Sequence, residues 1–413
     1  VQQKAAPFAA GLAPAVEEKS VLTTTRITDP TRDRYLSLSL SSVWEMKVVR
    51  EARALVVGAG ALGNEVVKNL AMMGVKAIVV LDRDVVEVAN LTRSVFFREA
   101  DHGAHKAEVL AQRLRELNSD VGILPLCGDV DDTLGLGLVR RMDLIFSCLD
   151  NRLARRAVNR LCQKMARPWV DGSMENLLGD VTVYLPDEGP CYECTLNALD
   201  LQLMAQATSC KGIALQNLRQ GKVPTVSTMG SIIGALQVQE AVKLLHGEVR
   251  RSLAGGRLVV NCQINDYYVT RAERHEDCPG HFRYGEITEV PQWTSAETTA
   301  RELLDRFAQE TGQPGYLQLG REVTVGLTCR YCRAAEQFEG ARNGLSVEQA
   351  TCPRCGELRS RVSVNVIHGA EEQADWPLAR LGVPRLEVLE VRGAERSIWY
   401  ELTGDWPEFS GIL

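Results

Sequence analysis

The chain has 413 residues, a formal net charge of −6 and 12 cysteines. At roughly 100–200 residues per domain, that length implies two or three domains. An acidic balance lacks the basic excess of a nucleic-acid surface, so no nucleic-acid partner is expected. No apolar run approaches the roughly 18 residues of a membrane span, and the stretch PFAAGLAPAV is short, Pro-interrupted and without signal-peptide flanks. A cytosolic protein with no membrane partner is expected.

In chain order, residues 1 to about 30 are rich in Ala, Pro and Thr without sustained periodicity, which predicts a flexible arm. The pattern tightens at Arg34 with RYLSLSL, and a helix over residues 44–51 leads into a first strand, Leu55 to Val57. Gly58, Gly60 and Gly63 follow in G-x-G-x-x-G spacing, where a chain turns sharply, admits a pyrophosphate to its backbone and packs a helix on the strand. A second strand, Ala77 to Leu81, ends at Asp82, placed to accept hydrogen bonds from a ribose. Up to this point a dehydrogenase reads the same way.

Asp84, Asn90, Arg93 and Lys106 come next, and a nicotinamide enzyme has no need of them. Two cations and an amide beyond the ribose acid suit a triphosphate under attack, whose charge Arg93 and Lys106 would offset while Asn90 orients it. Further on, a helix is expected from Lys106 to Asn118, a strand over ILPLCGDV, and an apolar strand over Met142 to Leu149 that ends in Asp150-Asn151. Asp150, at that carboxyl end, is placed to hold a Mg²⁺ bridging phosphate oxygens. A helix over residues 152–164 and a strand over 169–171 continue the alternation and predict a doubly wound, mostly parallel sheet. GDVTVYL at 179–185 alternates as an antiparallel strand does, residues 191–221 read largely as loop, and residues 225–245 form a long, largely buried helix. Strand patterning returns over 258–270. A boundary falls at about residue 285, followed by a helix over 295–310 with capping-box spacing at Thr294 and Glu297, then strands and a hairpin turning at Arg392 to Ala394.

Seven cysteines and one histidine form Cys191/Cys194, Cys278/His281, Cys329/Cys332 and Cys352/Cys355, which in a cytosolic chain favour zinc over disulfides. The first two pairs read as halves of one tetrahedral site, with His275 as a competing ligand, and the last two as a zinc ribbon. That ribbon is expected to be structural, with partner docking as a further reading and a nucleic-acid role disfavoured by the overall acidity. Cys127, Cys148, Cys162 and Cys262 lie in apolar patterns and read as core, whereas Cys210 stands in the polar stretch SCKGIALQNLRQGKVPT beside Lys211, which would favour its thiolate.

Residues 34 to about 281 resemble the ThiF/MoeB and ubiquitin-activating enzyme family in GAGALG, LDRDVVEVANLTR, GAHKAEVLAQRLRELN, CLDNRLAR, GPCYEC and GSIIGALQVQEAVKLLHG. The resemblance implies ATP-dependent adenylation of the C-terminal carboxylate of a ubiquitin-like protein. It places Gly60, Asp82, Asn90, Arg93 and Lys106 on ATP, Asp150 and Asn151 on Mg²⁺ or ATP, and Cys210 as acceptor of the acyl group or of a persulfide. It also implies a homodimer and a possible ubiquitin-conjugating partner. The family tends to carry Arg-Tyr-x-Arg-Gln before the first strand, its second arginine reaching the partner subunit's phosphates. Here the chain reads Arg34-Tyr35-Leu36-Ser37-Leu38, so Arg34 or Arg32 would have to substitute. The expected architecture is an arm (1–30), a Rossmann-like doubly wound α/β adenylation domain with an antiparallel extension (31–285), and a C-terminal α+β domain with the zinc ribbon (286–413). Bacterial ubiquitin-like conjugation is the leading reading. Sulfur-carrier or peptide activation for cofactor or natural-product synthesis, and an inactive scaffold, remain alternatives.

Overall fold

The computed structural model describes residues 33–41, 44–207, 225–342 and 345–413. Residues up to Trp44 form one unit, whose described part holds a single helical turn, Leu36–Ser39. Glu45–Leu413 form the other.

The larger unit is built on an eight-stranded sheet in the order β3-β2-β1-β4-β5-β6-β7-β8. Its parallel half comprises β1 (Arg53–Val57), β2 (Ala77–Asp82), β3 (Gly122–Cys127) and β4 (Leu144–Ser147). Ala54 to Val57 and Ala77 to Leu81 are buried without interruption, the pattern of central strands covered on both faces. The longer described helices in this part of the chain are α1 (Ala61–Met73), α2 (Lys106–Leu117), α3 (Arg152–Lys164), α4 (Ala198–Ala207) and α5 (Ser227–Leu245). Gly74 ends α1 at φ +74°, returning its amide to Leu70 and Ala71, as a left-handed cap does. β5 (Trp169–Glu175) pairs parallel with β4 and antiparallel with β6 (Leu178–Tyr184), and β7 (Gly256–Asn261) and β8 (Asp266–Arg271) extend the antiparallel half. Small residues bring α5 close to α1: a Cβ on Gly234 would stand 2.7 Å from the Glu65 Cβ.

The second sheet has six strands: β9 (Ile287–Glu289), β10 (Tyr316–Thr328), β11 (Ala335–Arg342), β12 (Ser360–Ile367), β13 (Val388–Arg392) and β14 (Ser397–Glu401). Helix α6 (Ala300–Thr311) buries Leu303, Leu304 and Phe307 against it. The boundary expected near residue 285 falls between β8 and β9. There is no break in packing between the sheets, because Leu386, Val388, Phe409 and Leu413 lie in one core with Val57, Leu136, Val139 and Met142. At this seam Glu401, with no accessible side-chain surface, pairs with both Arg140 and Arg141.

Four local expectations change. The helix after residue 292 starts at Ala300, because the capping box forms between Thr299 and Glu302; Thr294 accepts only the Glu297 amide, at 3.2 Å. The stretch after Cys194 holds the helix α4 rather than loop. Cys127 is exposed at the end of β3, and Cys262 is half-exposed just beyond β7, so of the four presumed core cysteines only Cys162 is fully buried.

Removing one member of a buried ion pair leaves an uncompensated charge, so Glu401→Ala is expected to lower the unfolding free energy by about 3–5 kcal/mol. Glu289→Ala, which removes a half-exposed partner of Arg140, should cost less than about 1 kcal/mol. Denaturant titration of both variants checks this difference.

Candidate active site

The order β3-β2-β1-β4-β5 reverses direction between β1 and β4, which opens a crevice at their carboxyl ends. Three segments converge there, since Val57 lies in register with both Leu81 and Ser147. They are the glycine turn after β1, Asp82 at the end of β2, and Cys148 to Asn151 after β4. The glycines have three separate roles. Gly58 takes φ +102°, and a Cβ there would meet the Cys148 carbonyl oxygen at 2.5 Å. A Cβ on Gly63 would stand 1.9 Å from the Gly58 oxygen, so α1 can enter the turn only without one. Gly60 has nothing within 4 Å of a built Cβ, and it precedes the first residue of α1. Open space above a helix N-terminus is where a phosphate is received.

Asp82 accepts from the Ala59 amide at 2.6 Å and from the Asp84 amide at 2.7 Å, one on each oxygen. Each oxygen keeps a lone pair for a ribose hydroxyl. Burial lifts the Asp82 carboxyl above its ordinary value, opposed by the Ala59 amide and by Lys106. Lys106 is nearly covered and lies 3.0 Å from the more exposed Asp84 carboxylate. Asp84 thus holds the lysine in place. Asn90 is buried, its side-chain oxygen accepting the Glu87 amide at 2.9 Å. Arg93 donates to the Ala89 carbonyl at 2.8 Å. Asp150 is exposed, and one carboxylate beside a phosphate site is the kind of protein ligand Mg²⁺ takes. Asn151 caps α3, accepting the Ala154 amide at 2.8 Å. Arg34 is exposed in the smaller unit. Cys210 and Arg32 lie outside the described residues.

Two supports of this crevice were not anticipated. Asn64, fully buried, donates to the Ala59 and Gly60 carbonyls at 2.9 Å and accepts the Phe96 amide at 3.1 Å, tying the glycine turn to the segment after Arg93. On the other flank, Arg155 donates to the Leu149 and Gly172 carbonyls and lies 3.3 Å from Asp171, while Gln237 of α5 donates to the Ser147 and Val170 carbonyls. Both supports bind backbone carbonyls, which leave no mark in sequence spacing.

The cysteine pairs come together as expected. Cys191 Sγ lies 3.8 Å from Cys194 Sγ and 3.7 Å from Cys278 Sγ, and Cys194 Sγ lies 3.3 Å from His281 Nε2. Sulfurs about 2.3 Å from one zinc in a tetrahedron stand about 3.8 Å apart. His275 gives Cys194 its backbone amide instead of joining the four donors. Cys329, Cys332, Cys352 and Cys355 form the second cluster, with contacts of 3.5 Å. Both donor sets fit zinc.

The sequence of residues 33–280, more than half of the chain, matches the ThiF family. The chain belongs to that family. This ThiF-family chain is 33% identical to the SAMP-activating enzyme E1 of Haloferax volcanii over 234 residues, 55% of its own length and 79% of that protein. It is 29% identical to the molybdopterin-synthase adenylyltransferase of Escherichia coli over 237 residues, 56% of its length and 89% of that protein. The match to SUMO-activating enzyme subunit 2 of Dictyostelium discoideum, 35% identical over 147 residues, takes in 35% of the chain but only 22% of that protein. Among solved structures, MccB from Escherichia coli with AMPCPP and MccA shares the fold at a TM-score of 0.50 and 24% identity, over 60% of this chain and 74% of that one. In the larger unit, no described helix is long and apolar enough to cross a membrane.

Burial raises the Asp171 carboxyl from its ordinary 3.8 to about 6, against the pull of Arg155. The folded state therefore keeps this proton where the unfolded chain has lost it. Stability from that proton is complete below about pH 4 and is lost as pH rises through about 6. Asp171→Asn should remove this loss, and unfolding free energies measured from pH 4 to 7 would show a flatter profile than the wild type.

Proposed function

We propose that this chain adenylates the C-terminal carboxylate of a small ubiquitin-like protein and passes the acyl group to Cys210. What supports this most is one arrangement: the glycine turn, Asp82, the Asp84-held Lys106 and Asp150 all follow the carboxyl ends of the adjacent strands β1, β2 and β4. A dinucleotide enzyme has no use for a lysine and a free carboxylate there.

In this reading ATP lies with its ribose on Asp82 and its phosphates over the amides at the start of α1. Lys106 and Arg93 hold the phosphate chain by turning from Asp84 and the Ala89 carbonyl, and Asn90 donates its side-chain amide while its oxygen keeps the Glu87 amide. Mg²⁺ on Asp150 would neutralise phosphate charge. A carboxylate oxygen of the substrate attacks the α-phosphorus, the bond from that phosphorus to the bridging oxygen breaks, and pyrophosphate leaves. The Cys210 thiolate then attacks the acyl carbon and AMP departs with its electron pair on oxygen. Zinc at Cys191, Cys194, Cys278 and His281 would pin the end of the adenylation fold, and zinc in the ribbon would hold the second sheet's outer hairpin. A homodimer, with Arg34 or Arg32 contributed between protomers, and a conjugating enzyme as the next acceptor complete the proposal, within a bacterial ubiquitin-like pathway.

Similarity to the molybdopterin-synthase adenylyltransferase favours a second reading, in which the activated protein is a sulfur carrier and Cys210 takes part in sulfur transfer. Both readings share the first step.

Lys106→Ala and Asp150→Asn should each lower ATP–pyrophosphate exchange, measured with a diglycine-ended small protein, by about 100-fold or more. Cys210→Ala should leave exchange unchanged and abolish any reductant-sensitive adduct. Exchange that survives the first two substitutions would remove Lys106 and Asp150 from phosphate and Mg²⁺ binding, and an adduct that survives the third would remove Cys210 from acyl transfer.

A further inference from the structure

A second cavity, of about 400 Å³, lies between α3 and the second sheet. One stripe of α3 lines it, Leu153, Arg156, Ala157, Arg160, Leu161 and Lys164, spaced three and four residues apart as a single helix face must be. Leu319, Leu381, Val383 and Leu389 form the opposite wall. The cavity is therefore long, following about 16 Å of helix at 1.5 Å per residue, and mostly apolar. Lys164, its far cation, is the last residue of α3, about 18 Å along the helix from the end that carries the Asp150 loop. It is separate from the nucleotide crevice.

The charges around this cavity are unequal in their commitments. Arg156 and Arg160 both bind Glu193, at 2.8 and 2.7 Å. Arg321 is held by Asp132, the Asp131 carbonyl and the Gly382 carbonyl. One oxygen of Glu387 accepts the Val388 and Leu136 amides, and burial raises its carboxyl to about 7. Lys164 alone among these cations has no ion-pair partner among the described residues. Its Nζ lies 5.2 Å from the centre of the Tyr284 ring. Burial lowers its ammonium's pKa, with Glu387 drawing it back. Lys164 is thus a cation half-withdrawn from water at one end of the slot and without an ion pair among the described residues, while the Glu387 and Asp131 carboxylates of the same lining act on it from beyond ion-pair distance.

We propose that this cavity binds a small apolar carboxylic acid, its carboxylate on Lys164 and its hydrocarbon body along the α3 stripe against Leu381 and Val383. Cavities of a few hundred cubic ångströms with few, placed polar groups are the usual form of small-molecule sites. Because the slot joins α3 to the second sheet, its occupant bridges the helix that follows the Asp150 loop and the C-terminal part of the chain.

Calorimetric titration of the full chain with octanoate, and with octan-1-ol as the uncharged control, tests this. Octanoate should bind the wild type at least tenfold more tightly than the alcohol, and Lys164→Met should remove that advantage. Gly320→Ile supplies an independent variant, since a Cβ at Gly320 would stand 3.8 Å from the Lys164 Nζ and the added side chain would cover the ammonium without deleting it. It too should weaken octanoate at least tenfold, with both variants checked for wild-type melting. No binding of octanoate to the wild type, or equal binding of octanoate to wild type and to a folded variant, would overturn the proposal.

Discussion

The contact on which the rest of the site depends is between two glycines. Gly63, in the first turn of α1, approaches the Gly58 carbonyl so closely that a single added carbon would overlap it, and Gly58 in turn lies against the Cys148 carbonyl. This stack fixes α1 over the crevice between β1 and β4 and leaves its first amides facing the open space above Gly60. Asn64 then locks the turn to the strand of chain carrying Arg93, and Gln237 and Arg155 lock the other wall. A crevice supported this way holds its backbone amides in place before any ligand arrives, and such pre-arrangement is what stabilises charge developing on a phosphate.

Much of this was legible in the sequence because it rests on local rules. The uninterrupted apolar runs Ala54 to Val57 and Ala77 to Leu81 can only be central strands, the glycine spacing marks the turn, and Asn151 announces the start of α3. The three cysteine pairs and the one cysteine–histidine pair were legible for the same reason, since metal ligands come in short spacings. What escaped depends on partners far apart in the chain. Asp84 reads in sequence as one of the groups gathered around a triphosphate, and the fold makes it the partner of Lys106, 22 residues on. Asp171, Arg155 and Gln237 lie inside stretches that the sequence does mark, a strand end, CLDNRLAR and GSIIGALQVQEAVKLLHG, but nothing there assigns them a role. The start of α6 was misplaced by five residues because Thr294 and Thr299 each precede a glutamate by three, and only the second lies where the chain turns into the helix.

The second sheet extends the same logic. It is joined to the first through a common core and through Glu401, whose two arginine partners come from the segment just before β4. The C-terminal part of the chain is packed against the segment that leads into β4, which ends three residues before Asp150, and the cavity along α3 lies in that same joint. The first cysteine cluster ties the buried turn after β6 to the segment beyond β8, and the second ties the β10–β11 hairpin to the segment before β12.

The central claim is that a carboxylate attacks the α-phosphorus of ATP at this crevice. Labelling the C-terminal carboxylate of the protein substrate with ¹⁸O and following the label by mass spectrometry tests it most directly. Attack at the α-phosphorus followed by transfer to a thiol leaves one labelled oxygen in AMP. Label found in inorganic phosphate with ADP as co-product, or label that never leaves the substrate during turnover, would contradict it.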